Sequence, residues 1–245
     1  MSTALSTSGS WWFRRHHDTN RPDSDHHLGL YLRLPGSEDY GAAAVQLANW
    51  VAELSALGLL AHLNLGTYQP QHGRYGHEAA MAAEDVFAAD SAAALAEMAM
   101  ATRAGIPSPA VAVSSMADLA ACFAALPEVG CRWLIDLLPQ EKGRLQRSLR
   151  DAALLLVGAD DDRAVLCGHP GGVAVAESWD QRRVALAAYR ERLADERDPV
   201  TVPRSLLHDH YVRVVGVDPG RERVVNRLAR AAALRQLALL HRRTL

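Results

Sequence analysis

The chain has 245 residues, of which 49% are hydrophobic and 22% charged, with a formal net charge of −2. This composition suits one globular domain, or two tightly fused halves, with a real core. No apolar run reaches the roughly 18 residues that a membrane-spanning helix needs, and the N-terminus lacks the charged-then-apolar order of a signal peptide. We therefore expect a cytoplasmic protein that does not bind membranes.

The cysteines and basic residues exclude several kinds of site. Cys122, Cys131 and Cys167 are widely spaced and form no CxxC pair, so we expect buried thiols rather than disulfides or a structural zinc site. Lys142 is the only lysine, and the arginines of the C-terminal third alternate with an apolar stripe. That pattern is typical of the solvated face of a packed helix, so no nucleic-acid partner is expected.

The N-terminal part predicts a small β-sheet. Residues 1–10 are small and polar and predict a disordered tail, and residues 11–245 predict a single domain. The stretch "HHLGLYLRL" (26–34) alternates leucine with other residues, as a half-buried strand does. "WWF" (11–13) is its expected partner strand across a polar loop, 17–25, and "LLAHLNLGTYQP" (59–70) predicts a further strand.

The rest of the chain is predominantly helical in pattern. Gly58 and Gly105 are predicted helix stops, and Pro203 and Pro219 each fall near a predicted first turn. "GADDDRAVLCGHPGG" (158–172) predicts a loop. The fold class is therefore α+β, with a small N-terminal β-sheet and a larger helical body. Helices are predicted over 38–57, 77–103, 115–126, near Trp133, and over 140–155, 179–194, 203–215 and 218–240.

Three stretches in this order resemble the C-terminal, elimination-type domain of lantibiotic dehydratases, which also occurs as small stand-alone proteins of thiopeptide biosynthesis. "WWFRRHHDTNRPDSDHHLGLYLRLPG" resembles that domain's opening aromatic residue, its "RY-D" step and its "HLRLR" strand. "LGTYQPQHGRYGHEAAMAAEDVFAADSAAAL" resembles its "TY-P-E--RYGG--AM--AE--F--DS" block. "SLLHDHYVRVVGVDPGRERVVNRLARAAA" resembles its "SL-HMH-NR--G-----E" ending. The resemblance spans residues 11–233 and implies the fold of that domain.

The family's ordinary activity is the removal of glutamate from glutamylated Ser or Thr side chains, which leaves dehydroalanine or dehydrobutyrine. The resemblance implies that arginines of the "HLRLR" strand and the "RYGG" turn hold the departing glutamate carboxylate. Here the two strand arginines are replaced by Gly29 and Tyr31, whereas Arg74 and His208 remain. Arg33 shares their face but lies one two-residue step beyond Tyr31.

A second branch of the family lacks these cations and catalyses a formal aza-[4+2] cycloaddition. Such enzymes join two dehydroalanines of one thiazole-rich peptide, and loss of water and leader peptide then yields a pyridine. The resemblance to this branch implies a pyridine synthase, with a ribosomally made precursor peptide, leader plus core, as partner. No phosphate loop or nucleotide motif is visible in the sequence, so no cofactor is expected.

Ser205, His208 and Tyr211 are the candidate catalytic residues. On a helix they are spaced i, i+3 and i+6 and form one slanting polar stripe. We assign Tyr211 as donor or acid/base at the reacting amide, Ser205 as its hydrogen-bonding partner, and His208 as a proton shuttle; a buried polar face without catalytic role is the alternative. The substrate-binding candidates implied by the resemblance are Gly29, Tyr31, Tyr68, Arg74 and Arg213.

Several alternatives stay open at this stage. Arg74 either binds a substrate carbonyl or carboxylate, or pins its own turn. Asp90 and Ser91 match the family's "DS" but fall within a helix, where a structural role is favoured. His208 and His210 lie about 200° apart on a helix, which argues against a metal site. A glutamate-eliminating lyase and an inert leader-binding protein are the competing functions, and a homodimer is a candidate assembly.

Overall fold

The computed structural model describes residues 10–17, 26–141, 143–158 and 163–243. Within these ranges the fold is α+β, as predicted, with two strands in one small sheet and the remaining regular structure helical. The tail predicted for residues 1–10 and the loop predicted for 17–25 lie almost wholly outside the described residues. Among the described residues, no single helix is long and apolar enough to cross a membrane.

The predicted N-terminal strands form an antiparallel hairpin. β1 (Ser10–His16) pairs with β2 (His27–Arg33) in a register that places Arg14 opposite Gly29. Side chains alternate between the faces of a sheet. The even-numbered residues of β1 and the odd-numbered residues of β2 therefore form one face, here called the front face, and the others form the rear face.

Ten α-helices follow the hairpin within the described ranges, and two short 3₁₀ turns, Ser37–Asp39 and Pro199–Thr201, precede α1 and α9. Gly58 and Gly105 follow helices with φ of 69° and 64°, so both predicted stops are confirmed. Pro203 and Pro219 begin helices, as predicted. The helices are α1 (Tyr40–Ala56), α2 (His72–Tyr75), α3 (Ala80–Ala104), α4 (Ser108–Ala124), α5 (Pro127–Leu137), α6 (Arg147–Val157), α7 (Ala164–Cys167), α8 (Gly172–Ala194), α9 (Pro203–Val214) and α10 (Pro219–Arg243).

The strand predicted over 59–70 is wrong. This segment is irregular, and Leu59 and Leu65 are more than 70% exposed. An alternating pattern forms a strand only where a partner edge accepts it. The outer edge of β1 is not open, because the Phe13 N–H donates to Ser91 Oγ at 3.1 Å and the Phe13 carbonyl accepts from Arg213 Nε at 3.1 Å.

Four further boundaries differ from the sequence pattern. α8 begins at Gly172, seven residues before the predicted 179. α4 begins seven residues before the predicted 115, because it is buried on nearly all sides and therefore lacks an amphipathic period. The helix predicted from 140 begins at Arg147, and the predicted loop 158–172 contains the short helix α7, although 159–162 lie outside the described residues. Of the cysteines, Cys131 is buried as predicted, and Cys122 and Cys167 are partly exposed; all three are free thiols.

The apolar core lies where α3, α4, α8 and α9 pack together. α3 and α8 contact each other along much of their length, and α4 touches α5, α6, α8, α9 and α10. Alanines on the inner face of α3, such as Ala83 and Ala93, have no exposed surface. Small side chains let the α8 backbone approach α3 closely, which brings the long polar side chains of these helices into the interior.

A buried polar network centred on Asp90 crosses this core. Asp90 of α3 accepts from Arg182 of α8 and from Arg213 of α9, each at 2.8 Å, and its Oδ1 lies 2.8 Å from His210 Nδ1. Burial raises the pKa of Asp90, but His210 and the two guanidiniums outweigh that effect and hold the pKa well below its usual value. These contacts agree with the structural role predicted for Asp90.

Glu97 extends the network about two turns further along α3. Its Oε2 lies 3.3 Å from His210 Nε2, and its Oε1 accepts from Ser115 at 2.6 Å and from Trp179 Nε1 at 2.7 Å. Burial lowers the pKa of His210, but Asp90 and Glu97 outweigh this and raise it to about 9. His210 is therefore protonated at neutral pH and acts as a third internal cation.

We predict that Asp90→Asn destabilises the fold by about 3–5 kcal/mol, because Arg213 would remain buried without a carboxylate and Arg182 would keep only Asp118. Urea unfolding followed by circular dichroism measures the change. The matched control is Asp180→Asn, since Asp180 also bridges arginines but is 60% exposed. That control should lose less than about 1 kcal/mol. Equal losses in the two variants would show that the network does not stabilise the core.

Stability should also fall with rising pH. The pKa of His210 is raised from 6.5 to about 9 in the folded state, so the stabilisation is fully present below pH 6.5 and is lost as pH rises towards 9. The shift corresponds to about 3 kcal/mol. Urea midpoints between pH 6 and 9.5 measure it. A His210→Gln variant should show a flatter profile, and an unchanged decline in that variant would refute the assignment.

Candidate active site

Arg74 lies on a single helical turn that other residues hold in place. The turn, α2, is followed by Gly76 with φ of 93°, a conformation that favours glycine. Glu196 accepts from the N–H of His77 at 2.7 Å, and Arg197 donates to the carbonyl of Arg74 at 2.6 Å. Glu196 and Arg197, which lie just after the end of α8, therefore hold this turn in place, whereas the Arg74 side chain extends towards α9.

The Arg74 guanidinium lies in a polar cluster with residues of α9 and β1. Its Nε donates to Ser205 Oγ at 2.9 Å, and one terminal nitrogen lies 3.5 Å from Asp209 Oδ1. Arg14, on the front face of β1, reaches the same Asp209 oxygen at 3.2 Å. Tyr75 donates from its hydroxyl to the other oxygen, Oδ2, at 2.5 Å. Two cations and a phenol therefore converge on one carboxylate.

Asp209 neutralises much of the positive charge at this point. Its side chain is 4% exposed, whereas Arg14 and Arg74 are 21% and 30% exposed. Burial and the neighbouring carboxylate raise the pKa of Tyr75 well above its usual value, so its phenol stays protonated and donates to Asp209. The two arginines and Asp209 together carry one net positive charge. The carboxylate that binds the arginines is therefore a side chain of the protein itself.

The space in front of Gly29 is filled by neighbouring side chains. Gly29 lies opposite Arg14 in the hairpin. A Cβ added at Gly29 would lie 3.0 Å from His16 Nε2 and 3.1 Å from the Tyr31 hydroxyl. A longer side chain at this position would displace both rings. β2 lacks the two arginines that the family pattern has in this strand. The rings of His16 and Tyr31, together with Arg14 of the adjacent strand, take their place near Gly29.

The front face of the hairpin continues as an aromatic wall made of Trp12, Tyr31 and Tyr68. Tyr31 stacks on Trp12 with centroids 5.5 Å apart, and Tyr68 meets the two rings edge-on at 5.3 and 5.4 Å. Burial and the nearby Glu84 raise the pKa of Tyr68 above its usual value, which keeps its hydroxyl neutral. This wall is uncharged.

Arg33 does not occupy the place of the missing strand arginines. It pairs with Asp85, donates to Ser10 Oγ at 2.9 Å, and lies 3.7 Å from Glu84. These contacts hold it beyond Tyr31, as its position in the strand predicts.

A cavity of about 610 Å³ lies beside Arg74 and is lined by Ser205, His208 and Glu222 among others. His208 Nδ1 is 2.6 Å from Glu222 Oε1. Because a carboxylate only accepts, Nδ1 carries the proton, and Nε2 of a neutral His208 is the basic nitrogen. The arrangement can accept a proton at Nε2 and return it while Glu222 fixes the ring.

The structure brings two of the three catalytic candidates together. Ser205 and His208 line the same cavity, but Tyr211 is 1% exposed and donates from its hydroxyl to the Asp218 carbonyl at 2.9 Å. Arg213 is buried in the Asp90 network. His208 and His210 point to opposite sides of α9, as the helical spacing predicts.

The most informative site residues, Arg14, Asp209 and Glu222, escape the sequence patterns. Asp209 is four residues after Ser205 and so shares its side of α9, which is a usable local signal. Arg14 could have been found by writing out the hairpin register opposite Gly29. Glu222 lies on α10, and nothing in the local sequence relates it to His208.

Comparisons with known proteins agree with this architecture. The family model described as lantibiotic biosynthesis dehydratase C-term matches residues 2–233. The chain belongs to this family. The crystal structure of the tRNA-dependent lantibiotic dehydratase MibB from Microbispora sp. 107891 superposes with a TM-score of 0.77 and 26% identity, over 97% of this chain but 25% of the MibB chain. No curated protein sequence matches.

Within the family pattern "SL-HMH-NR", this chain has an aspartate, Asp209, where the pattern has methionine. A methionine could not pair with Arg14 and Arg74. The chain therefore departs from the pattern at Gly29 and Tyr31, where cations are lost, and at Asp209, where an anion is gained. All three departures reduce the positive charge offered to a substrate.

Asp209→Asn is predicted to create a binding site for free carboxylates, because Arg14 and Arg74 would lose their internal partner. Titration with L-glutamate should raise the melting temperature of this variant more than that of the wild type at constant ionic strength. Asp180→Asn, an exposed acid at a distance from the cluster, is the control. Equal shifts in all three proteins would mean that Asp209 does not occupy a carboxylate site.

Proposed function

We propose that this protein is a thiopeptide pyridine synthase that catalyses a formal aza-[4+2] cycloaddition between two dehydroalanines of a thiazole-containing precursor peptide. The main observation in support is that Arg14 and Arg74 both pair with Asp209, whereas a departing glutamate would need these two arginines as its own partners. The neutral aromatic wall beside Gly29 supports the same proposal, because the two dehydroalanines are uncharged. An eliminase would require these groups to be free.

The reaction needs little charge stabilisation and much positioning. One amide tautomerises to an imidic acid, and the resulting 2-azadiene forms two carbon–carbon bonds to the second dehydroalanine. The hydroxyl then leaves as water and the leader leaves as its amide, so no oxidant is consumed. Holding the two ends of a flexible peptide in reacting geometry can lower the barrier by roughly 7–11 kcal/mol.

Ser205 and His208 are the proposed proton-handling groups. Arg74 fixes the Ser205 hydroxyl at 2.9 Å, so the serine can donate to, or accept from, the tautomerising amide. His208, oriented by Glu222, is suited to transfer protons for loss of water and leader. Tyr211, the third candidate, would have to release the Asp218 carbonyl before it could reach a substrate, and its role stays a prediction.

A glutamate-eliminating lyase is the second candidate function. The observation in its favour is that Arg14, from the neighbouring strand, places a guanidinium opposite Gly29 and close to Arg74. Rearrangement of Asp209 would then have to open a carboxylate site. Such an enzyme would convert a glutamylated peptide to dehydroalanine without forming a ring.

Mass spectrometry with two synthetic precursors separates these functions. We expect the wild-type protein to convert a linear thiazole peptide carrying two dehydroalanines, with loss of leader and one water, and to leave its glutamylated counterpart unchanged. Loss of glutamate from the second peptide alone would establish the lyase. Unchanged masses in both cases would contradict both proposals and favour an inert leader-binding protein.

Substitutions at the cavity should lower turnover of the thiazole peptide. A positioned acid or base contributes about 10²–10⁴-fold, so His208→Ala should be slower by about that factor, and Ser205→Ala should also be slower. Tyr211→Phe tests the remaining candidate. Arg132→Gln, on an exposed helical surface, is the control for altered charge. Full activity of the Ser205, His208 and Tyr211 variants, with the fold intact, would refute the polar-stripe assignment.

A further inference from the structure

A second cavity lies on the rear face of the hairpin, opposite the candidate active site. Its volume is about 780 Å³, within the range of ligand-binding pockets. It extends from the hairpin to α1, the end of α3 and the connection between α9 and α10. Its walls are largely apolar and aromatic, and they include Trp11, Phe13, Leu28, Leu30, Trp50 and Met98. We call it the rear cavity.

Arg15 lines this cavity and places a guanidinium in a largely apolar wall. Its side chain donates to the sulfur of Met98 at 2.9 Å, and among the described residues it forms no ion pair. Burial lowers the pKa of Arg15, and no carboxylate in the described part of the chain acts on it in the opposite direction. A partly buried guanidinium without an anionic partner is unfavourable. Its environment therefore favours a ligand that brings a negative charge.

The other polar groups of the rear cavity fit the same ligand. His16 and His27 belong to the front face by register, but they stack at the end of the hairpin with ring centroids 4.8 Å apart and also border the rear cavity there. Asp218 is the acidic residue of the lining, and its Oδ1 already accepts from the backbone N–H of Arg221 at 2.9 Å, at the start of α10. The lining thus offers one guanidinium, imidazole rings that can form hydrogen bonds, and apolar surface.

We propose that the rear cavity docks an apolar peptide segment that carries an aspartate or glutamate side chain, with Arg15 binding the carboxylate. This inference rests on the proposed function, in which the substrate is a long precursor peptide. The hairpin separates the rear cavity from the cluster around Arg74, so one peptide can be held on the rear face while its reacting part lies at the front. The docked segment is distinct from the residues that react.

The test starts from a displayed library of random dodecapeptides selected on the wild-type protein. Selected peptides should combine apolar residues with at least one acidic residue. The best of them, labelled with fluorescein, is then titrated with each variant and followed by fluorescence anisotropy. Arg15→Gln should weaken binding about tenfold to a hundredfold, the effect expected from loss of one charge-assisted hydrogen bond.

Leu28 supplies a second, charge-specific pair of variants. It is 56% exposed, so substitutions there preserve folding. Leu28→Asp places a negative charge in the rear cavity and should weaken binding much more than Leu28→Ala does. Arg132→Gln is the matched arginine control and should bind as the wild type does. Circular dichroism and melting temperature verify that each variant is folded.

Failure to enrich any peptide, selection without acidic residues, or equal affinity of Arg15→Gln and wild type would overturn the docking proposal. An acid preference that survives both Arg15→Gln and Leu28→Asp would place the peptide elsewhere and overturn it too. The binding assay involves no turnover, so its result is separate from the thiazole-peptide reaction. Loss of chemistry with binding intact would refute the proposed function alone.

Discussion

The carboxylate of Asp90 is shared by Arg182, Arg213 and His210, and the positions of α3, α8 and α9 depend on this contact. Each of these charges would be strongly unfavourable in the core by itself. The carboxylate and the cations largely compensate one another's charge, but they do so only when all three helices are in place. The network therefore makes the packing of the central helices mutually dependent, and Arg213 extends it to the β1 backbone.

The same helix, α9, carries the anchor and the candidate active site. His210 and Arg213 fix one side of α9 in the core, and on another side Ser205 and Asp209 meet Arg74. A small rotation of α9 would disturb both sets of contacts. The buried network thus helps to fix the helix that carries Ser205 and His208, although it touches no group that we assign to catalysis.

The distribution of charge around Arg14 and Arg74 bears on which reaction this site favours. A site that assists the departure of glutamate must keep cations available to the substrate, whereas Arg14 and Arg74 share the carboxylate of Asp209. The carboxylate of Asp209 belongs to the protein and is already desolvated by burial. A free carboxylate would have to give up its hydration before binding the same arginines, so it competes at a disadvantage. Arg15, on the other face of the hairpin, pairs with no acid among the described residues, and this contrast separates the proposed chemistry from the proposed docking.

The sequence by itself determined the hairpin, the α+β class, the family and most helices, because alternation, helical periodicity, glycine stops and short motifs are local properties. It failed where the outcome depended on neighbours: 59–70 alternates as a strand does but pairs with neither strand of the hairpin, and α4 lacks a period because it is buried on nearly all sides. Arg74, Ser205 and His208 could be named from their motifs. That Asp209 joins Arg74 to Arg14, and that Glu222 orients His208, was decided by tertiary structure alone, since electrostatic contacts act through space between segments far apart in the chain.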